Sequence, residues 1–554
     1  MKNNYPWLKY HTNLNIEYNN TTMYEEFKKS ALDHKKNIAY IYDRDYVSYE
    51  TLLEKIDESA KAFRRLGVER KEIVSMIMPN TPEAIISIYA LNKLGAIVNI
   101  INPLSNIEEI EFALKITKTK HLIVLDTMYE KIKHKLDNVA KIISISVYET
   151  TESIRKTGLR IINKLKLKNE DKVITYTKFL NRIKNYDKEI NICTNGNDEA
   201  IILCSGGTTG KPKGVILTNS NINAEALTEI NINKNFKKDS KILTSMPIHN
   251  SYGISMCIHA TLLSGAQIVI IPRLDLKQRQ TIILKNKPNI LISYPNNIEA
   301  LIMNQKLKKE DLSFIKCVIC GGDRLDKTTQ EKLNEFLSER GSKAKINKSY
   351  GMTETTSGIT MMPDNEFKLG CLGIPKPNTY IKICKEKTIE ECLPNEVGEI
   401  CISGPTVMKG YISEHKANFK EHDNKTWLHT GDLGYMDEDG FVYFKSQRKR
   451  VIMSDNNIIY PNQIEEIINK HPYVKTSVAI GIPHPYKNEM VKVYIVLKDE
   501  YVLNSEIKKS IKEYCEKNIA SYALPYAYGY RKELPKTKIG KVAYNELINS
   551  EEEE

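Results

Sequence analysis

A loop rich in glycine and hydroxyl groups is the part of the sequence best suited to chemistry. It directly follows the apolar run 201–203 and reads Ser205-Gly206-Gly207-Thr208-Thr209-Gly210-Lys211-Pro212-Lys213-Gly214. Glycines allow backbone N–H groups to point towards one centre, hydroxyl groups add neutral donors, and the two lysines add positive charge. Together these features predict a loop that binds a polyphosphate.

The loop departs from the pattern of P-loop NTPases, which also follows a strand. That pattern requires Gly, four residues, Gly-Lys and then Ser or Thr. Here Ser205 stands at the first glycine position, and Pro212 stands where the magnesium-binding hydroxyl is needed. The sequence therefore argues against P-loop chemistry and keeps the phosphate-binding interpretation.

Four further motifs follow the loop along the chain. They are Tyr350-Gly351-Met352-Thr353-Glu354, Gly398-Glu399-Ile400, Thr430-Gly431-Asp432 and Pro535-Lys536-Thr537-Lys538-Ile539-Gly540-Lys541. In type and order, the loop and these motifs resemble the adenylate-forming (AMP-binding) superfamily of acyl-CoA synthetases, nonribosomal-peptide adenylation domains and luciferases. The resemblance extends from about Trp7 to Val542.

The resemblance implies an AMP-forming acyl-CoA synthetase. Such a ligase activates a carboxylic acid with ATP and Mg²⁺ as an acyl-adenylate, releases pyrophosphate, and transfers the acyl group to coenzyme A. The expected fold class is α/β, with a large N-terminal domain of several subdomains and parallel sheets, followed by a small mobile α+β domain. We place the boundary after the basic run 446–450, which predicts domains at 1–449 and 450–554.

The resemblance also assigns roles to residues of the motifs. The β- and γ-phosphates of ATP are expected at the loop, at Ser205, Gly206, Gly207, Thr208, Thr209, Gly210, Lys211 and Lys213. Glu354 is the expected magnesium ligand because magnesium prefers carboxylate and phosphate oxygens, and Thr353 would contact the α-phosphate. Lys541 would bridge the substrate carboxylate and the α-phosphate, as a compact cation suits that task.

The nucleoside part of ATP has its own expected residues. Adenine would stack on Tyr350 and lie against the backbone at Gly321, Gly322, Asp323 and Gly351. Asp432 suits the ribose because an ionised carboxylate accepts hydrogen bonds from both hydroxyl groups, and Arg448 would help to fix the same sugar. Arg450 occupies the position of the family's hinge, about which the small domain rotates between the two half-reactions.

The acid is expected at His249, Asn250, Tyr252 and Gly253, together with Tyr294 and the segment 355–358. Asn250 stands where many relatives carry histidine or an aromatic residue. Segment 454–457 replaces a glycine-bearing loop that contacts the pantetheine arm of coenzyme A, although Asn and Asp also adopt positive φ. The opening 5–9 and the basic segment 155–168 resemble bacterial medium- and long-chain fatty acyl-CoA synthetases, while aryl and short-chain acids remain alternatives.

Three other readings stay open at this point. The first is a stand-alone adenylation enzyme that loads the phosphopantetheine of a separate carrier protein, since no carrier domain is expected after Glu554. The second is a nucleotide-binding regulator without catalysis, against which Lys541 and Glu354 argue. The third concerns the segment 155–168, whose interleaved basic and apolar residues fit either peripheral contact with an anionic membrane or a solvated insertion.

Alternating apolar runs and helical segments must position these motifs. The run 73–78 predicts a strand, Thr81 and Pro82 predict a helix start, Gly95 predicts its end, and 97–101 predicts the next strand. Similar runs at 120–126, 241–245, 266–272 and 316–320 favour parallel sheets. Near the C-terminus, alternating residues 491–497 predict a half-buried strand, and the spacing of Ile507, Ile511 and Tyr514 predicts an amphipathic helix.

Composition excludes several classes of protein. A chain of 554 residues is too long for one core, and no apolar run approaches the ~18 residues that a membrane-spanning helix needs. Without a recognisable signal peptide, we expect a cytoplasmic protein. The formal charge of +12 suits anionic ligands, but no aromatic-interleaved basic patch indicates nucleic acid. Cys317-x-x-Cys320 lies in an apolar run and predicts a buried strand, not a zinc or redox site.

Overall fold

The structure, a computed structural model, divides the chain into two compact units. It describes residues 5–11, 16–146, 171–183, 190, 195–205, 213–244, 246–271, 276–302, 306–322, 325, 327–363, 366–385, 388–412, 417–454, 457–484, 488–519, 523–537 and 541–552. The larger unit contains Trp7–Tyr380 and Ser403–Ala417, and the smaller contains Met1–Pro6, Ile381–Ile402 and Asn418–Glu554. The predicted basic segment 155–168 lies outside the described residues.

One mostly parallel sheet of the larger unit carries the phosphate loop. In spatial order its strands are Gly410–Tyr411, Lys213–Thr218, Glu199–Ser205, Ile97–Ile100, Ile73–Ile77, His121–Leu125, Lys141–Ile145 and Val173–Thr175. The strands from Glu199–Ser205 onward run parallel, whereas the first two pair antiparallel with their neighbours. Because Glu199–Ser205 and Lys213–Thr218 are antiparallel, the phosphate loop can join them directly, without a crossover connection.

A second sheet of the larger unit carries the predicted adenine-binding residues. Its strands are, in order, Ile346–Ser349, Cys317–Gly321, Ile290–Ser293, Lys241–Thr244, Gln267–Ile270, Ile38–Tyr42 and Asp45–Ser48. All neighbours are parallel except the final pair. Cys317 and Cys320 are buried in their strand, as the apolar run predicts. A short antiparallel pair, Thr360–Met361 with Ile374–Pro375, adds to this unit.

Helices flank these sheets, and their ends follow the local sequence signals. They are Met23–Asp33, Tyr49–Leu66, Pro82–Lys93, Ile107–Ile116, Asp126–Ile132, Tyr176–Leu180, Asn219–Ile232, Thr261–Leu263, Leu276–Asn286, Pro295–Ile302 and Lys327–Glu339, with a π-helix at Gly253–Ala260. Short 3₁₀ turns lie at Pro6–Tyr10, Lys133–Lys135, Asn181–Ile183, Leu307–Lys309 and Thr353–Thr355. The predicted start at Thr81 is confirmed, because its side chain accepts a hydrogen bond from the Ala84 N–H.

The smaller unit is α+β. One sheet contains Tyr380–Cys384, Gly398–Ser403, Lys425–Met436, Phe419–His422 and Val442–Gln447, and the other contains Asn457–Ile459, Ile452–Ser454, Asn488–Leu497, Val474–His484 and Ala527–Tyr530. Helices Pro461–Ile468, Ser505–Asn518 and Tyr544–Glu552 and the turn Arg448–Arg450 complete it. The predicted strand and helix near the C-terminus are both confirmed.

The fold class matches the sequence prediction of an α/β chain with parallel sheets and a smaller α+β part. Among the described residues, no helix is both long enough and apolar enough to cross a bilayer. The domain boundary after residue 449 remains a prediction.

Candidate active site

Paired strands hold the two ends of the phosphate loop together. Glu199–Ser205 and Lys213–Thr218 are antiparallel, and Ser205 lies opposite Lys213. The remaining predicted phosphate-binding residues, Gly206, Gly207, Thr208, Thr209, Gly210 and Lys211, lie outside the described residues. The described strands therefore fix where the loop leaves the sheet and where it returns.

Tyr411 connects the end of this loop to the predicted magnesium ligand. Its ring centroid lies 5.2 Å from the ammonium group of Lys213, and its hydroxyl donates to Glu354 Oε1 at 2.9 Å. Burial and the adjacent Glu354 charge raise the pKa of the Tyr411 hydroxyl, which keeps it a neutral donor at pH 7. The structure thus brings Lys213 and Glu354 to one side chain, Tyr411, that the sequence analysis missed.

A tight turn fixes the backbone around Glu354 and Thr353. Both residues lie in the 3₁₀ turn Thr353–Thr355, and the Glu354 carbonyl accepts a hydrogen bond from the Met408 N–H at 2.8 Å. The next residue after the turn, Thr356, has φ 65°, and its hydroxyl donates to the Thr406 carbonyl at 2.6 Å. Positive φ is unusual for a β-branched residue and is retained where surrounding contacts impose it, often at functional sites.

Two glycines after Tyr350 allow backbone segments to approach closely. Gly351 and Gly358 pair through backbone hydrogen bonds. A methyl group at Gly351 would lie 1.7 Å from the Ser357 carbonyl oxygen, and one at Gly358 would lie 2.2 Å from the Tyr252 hydroxyl. Tyr350 is half-buried, and its N–H donates to the Thr360 hydroxyl at 2.9 Å. Larger side chains at either glycine would displace the backbone between Tyr350 and the turn Thr353–Thr355.

Residues predicted for adenine and for the acid meet at Tyr252. Gly321 ends its strand opposite Ser349, and a methyl group at Gly321 would lie 2.7 Å from the Tyr252 hydroxyl oxygen. That hydroxyl donates to the Ser349 carbonyl at 3.3 Å. Tyr252 is buried, and its hydroxyl end lies against the end of this strand at Gly321.

Asn250 fixes a second tyrosine beside the same strand end. Its amide donates to the Tyr294 hydroxyl at 2.7 Å, while its Oδ1 accepts from the Tyr252 N–H at 2.8 Å. Gly322 has φ 81°, and a methyl group there would lie 2.7 Å from the Tyr294 ring. Asp323 lies outside the described residues. The structure therefore places three predicted residues, Asn250, Gly321 and Gly322, next to the predicted tyrosines Tyr252 and Tyr294.

His249 and Gly253 flank this pair of rings in the sequence. The Nδ1 atom of His249 is buried and has no hydrogen-bond partner among the described residues, and burial lowers the pKa of the imidazole to about 4. His249 is therefore neutral at pH 7. Gly253 begins the π-helix Gly253–Ala260, and a methyl group there would lie 2.0 Å from the Pro247 carbonyl oxygen. The sequence analysis missed this π-helix, a feature that frequently marks functional sites.

A buried ion cluster lies close to Tyr252. The Lys376 ammonium contacts Glu225 at 2.8 Å and Glu229 at 3.0 Å, and all three side chains are at most 5% exposed. Burial opposes the charge on Lys376, but the two carboxylates outweigh it and raise the pKa of the ammonium. Burial raises the pKa of Glu225. This cluster, which no sequence motif predicted, fixes helix Asn219–Ile232 against the segment that contains Lys376.

The predicted ribose-binding residues lie together on the smaller unit. Asp432 is buried and pairs across two strands with Gln447, which precedes Arg448. The Asp432 N–H donates to the Thr430 hydroxyl at 3.0 Å, and that hydroxyl donates to the Ile400 carbonyl at 2.8 Å. The Thr-Gly-Asp motif is therefore an irregular stretch inside strand Lys425–Met436, where Gly431 has φ 77° and the register with the neighbouring strand shifts.

The predicted hinge residue Arg450 has several partners within the smaller unit. Its guanidinium donates to Asn462 at 2.9 Å and to Glu465 at 2.5 Å, and it lies 3.7 Å from the Tyr544 ring centroid. Arg450 is therefore more than a solvated linker residue, although hinge motion itself remains a prediction.

Lys541 lies on a turn of the smaller unit. Its N–H donates to the Thr537 hydroxyl at 3.1 Å, and its carbonyl accepts from the Thr537 N–H at 2.6 Å. In the segment predicted to replace the pantetheine loop, Ser454 pairs with Asn457, so two residues outside the described part join those strands.

Comparison with known proteins gives a consistent result for both units. The family model described as "AMP-binding enzyme" matches residues 27–412, and the model described as "AMP-binding enzyme C-terminal domain" matches residues 463–541. A long-chain-fatty-acid–CoA ligase of Bacillus subtilis (strain 168) is 30% identical over 100% of this chain and 99% of its own length.

Two further similarities concern other acids. A probable 4-coumarate–CoA ligase 2 of Dictyostelium discoideum is 28% identical over 84% of this chain and 83% of its own length. The solved structure of o-succinylbenzoate coenzyme A synthetase from Bacillus subtilis, in complex with ATP and magnesium ion, covers 94% of this chain and 98% of its own. Its TM-score is 0.76 at 24% identity, a likeness that establishes the fold.

Proposed function

Because the chain belongs to the AMP-binding enzyme family, we propose that it is an acid–thiol ligase that joins a carboxylic acid to coenzyme A with ATP. In the first reaction, a carboxylate oxygen attacks the α-phosphorus of ATP and pyrophosphate leaves, which yields an acyl-adenylate. In the second, the thiol attacks the acyl carbon, AMP leaves and the thiol proton is released. The contact of Tyr411 with both Lys213 and Glu354 carries this proposal, because it gathers a cation and a carboxylate at the end of the phosphate loop.

The larger unit would hold the triphosphate and the adenine of ATP. Two anions must approach each other in the first reaction, so neutralisation of charge is the main requirement. Lys213 and the loop would bind the β- and γ-phosphates, and Thr353 would contact the α-phosphate. Glu354 fits magnesium, because carboxylate oxygens are its preferred ligands and Tyr411 binds only Oε1 among the described residues. Magnesium, when bound, would add positive charge beside the phosphates.

The smaller unit would hold the ribose and complete the reacting site. Asp432 would accept hydrogen bonds from the ribose hydroxyls, with Arg448 beside it, and Lys541 would neutralise charge between the acid and the α-phosphate. We propose further that residues 450–554 rotate as a domain about Arg450 between the two reactions. Lys541 would be present in the first reaction and withdrawn in the second.

The substrate we propose is a medium- or long-chain fatty acid. The Bacillus subtilis ligase supports this choice, because its similarity extends over the whole chain. Tyr252 and Tyr294 supply apolar ring surface beside the strand end at Gly321, where an acyl chain would enter. An aromatic acid is the second candidate, supported by the Dictyostelium relative.

A panel of carboxylic acids tests the proposed substrate. The full chain is incubated with ATP, Mg²⁺, coenzyme A and fatty, aryl or short-chain acids, and both AMP and thioester are quantified. We expect equal amounts of AMP and thioester, with C8 to C18 fatty acids giving the largest kcat/KM. A preference for aryl acids would contradict the substrate assignment, and AMP without thioester would contradict coenzyme A as acceptor.

A carrier-protein acceptor is the alternative that the same assay separates. Holo carrier protein replaces coenzyme A, with apo carrier protein, which lacks the thiol, as the matched control. Acylation of the holo form together with inactivity towards coenzyme A would replace the proposed acceptor.

A further inference from the structure

Three metal-binding side chains converge on one face of a sheet in the smaller unit. Cys384, Cys401 and His429 belong to strands Tyr380–Cys384, Gly398–Ser403 and Lys425–Met436, which are neighbours in that order. Cys401 lies directly opposite His429 in the register. All three residues are buried, and their ligand atoms lie within 4.8 Å of one another.

The distances within this cluster suit a tetrahedral zinc site. Cys401 Sγ lies 3.4 Å from His429 Nδ1 and 3.7 Å from His429 Nε2. With Zn–S near 2.3 Å and Zn–N near 2.0 Å, a tetrahedral angle separates sulfur from nitrogen by about 3.6 Å. Both distances are within about 0.2 Å of that spacing. Because the sulfur lies beside both ring nitrogens, zinc bound at Nε2 would require the imidazole to turn so that Nε2 faces the thiols.

The other side of the imidazole is oriented by a carboxylate. His429 Nδ1 lies 2.9 Å from Glu399 Oε2, and Glu399 Oε1 accepts a hydrogen bond from the Gly431 N–H at 2.9 Å. A carboxylate at Nδ1 favours the tautomer that carries its proton there, which leaves the Nε2 lone pair for a metal. This arrangement is common around histidine ligands of zinc, and it is independent of the clustering of the thiols.

The charges of the cluster also suit a divalent ion. Two thiolates and a neutral imidazole would neutralise Zn²⁺, so the buried complex would carry no net charge.

We propose that Cys384, Cys401 and His429 bind one zinc ion, with Glu399 as a positioning residue. The ion would cross-link three strands of the smaller unit, and the last of these contains the Thr-Gly-Asp motif with Asp432. This site is separate from the proposed magnesium ligand Glu354, and its existence does not depend on the acid or thiol that the enzyme uses. The sequence could not indicate it, because the ligands are 17 and 28 residues apart in no zinc-binding pattern.

Metal analysis of the full chain tests the proposal. The protein is purified under reducing conditions, loaded with zinc chloride and desalted, and its zinc content is measured by inductively coupled plasma mass spectrometry. We expect about one zinc per chain in the parent, its loss in Cys384→Ser and Cys401→Ser, and its retention in Cys515→Ser, a buried cysteine elsewhere in the same unit. Glu399→Gln should weaken zinc binding about 10- to 100-fold in competition with a chromophoric chelator.

Cobalt substitution keeps the test decisive if a serine variant fails to fold. Cobalt(II) bound by the parent should give a thiolate-to-metal charge-transfer band and intense visible bands of tetrahedral coordination, unaffected by excess magnesium. Zinc that remains in both serine variants would overturn the proposal. So would a parent that binds neither ion, or a Cys384–Cys401 disulfide found by mass spectrometry after purification under reducing conditions.

Discussion

Lys213 and Glu354 acquire a common neighbour, Tyr411, only in the folded chain. Residue type and motif were sufficient to propose a phosphate-binding lysine and a magnesium-binding glutamate. Tyr411 could not be proposed in the same way, because it is 57 residues from Glu354 and belongs to no motif. The contact depends on a two-residue strand at the sheet edge, which leaves too short a pattern to predict.

Replacement of Lys541 tests its role at the level of one side chain. Lys541→Ala should lower the rate of acyl-adenylate formation at least ~100-fold and leave ATP affinity almost unchanged, because its charge would act mainly in the transition state. Stopped-flow measurement of adenylation and calorimetric titration of ATP separate the two effects. Lys536→Ala, in the same terminal motif, is the control, and adenylation of Lys541→Ala at the parent rate would exclude Lys541 from the mechanism.

Lys376 tests the buried ion cluster. Lys376→Met should lower the free energy of unfolding by about 3–5 kcal/mol at pH 8, because Glu225 and Glu229 would be left buried without a cation. The loss should be smaller at pH 5. The pKa of Glu225 is raised in the folded state, so the folded variant takes up protons more readily than the unfolded chain as the pH falls.

Urea unfolding at the two pH values measures this effect. Lys135→Met is the matched control, since Lys135 pairs with Glu111 at the surface of the same unit and should change stability little. A Lys376→Met variant that is as stable as the control at pH 8 would contradict the structural role of the cluster.

Secondary-structure elements with strong local signals were predictable. Thr81, Pro82 and Gly95 marked one helix, and the apolar runs marked the strands of both parallel sheets. The π-helix Gly253–Ala260 was not predictable, because all eight of its residues are buried and no polar face reveals its period. At its start, Gly253 lies directly against the carbonyl of Pro247, six residues earlier in the chain.

Gly253 provides a test at the level of this element. Gly253→Ala would place a methyl group 2.0 Å from the Pro247 carbonyl oxygen, so the start of the π-helix or the segment before it must move. We expect a lower midpoint of thermal unfolding and a larger KM for the acid than in the parent. Ser255→Ala, in the same helix, is the control, and a Gly253→Ala variant with parent stability and KM would show that the close approach is not required.

Across the whole molecule, the sequence predicted the α/β class, and the larger and smaller parts match it. The sequence did not predict how the chain passes back and forth between the two units. Residues Ile381–Ile402 belong to the smaller unit, and the chain then returns to the larger unit at Ser403–Ala417, which contains Tyr411. Such a return depends on strand pairing between distant segments, and local composition does not encode it.

Exchange of labelled pyrophosphate into ATP tests the central claim most directly, because it reports reversible acyl-adenylate formation without any thiol. The full chain is incubated with ATP, Mg²⁺ and labelled pyrophosphate, with or without a saturating fatty acid. We expect exchange that depends on the acid and exceeds the acid-free rate at least ~100-fold. Exchange at the same rate with and without the acid would contradict the account. So would the absence of exchange with every carboxylic acid tested, provided that the folded protein binds ATP.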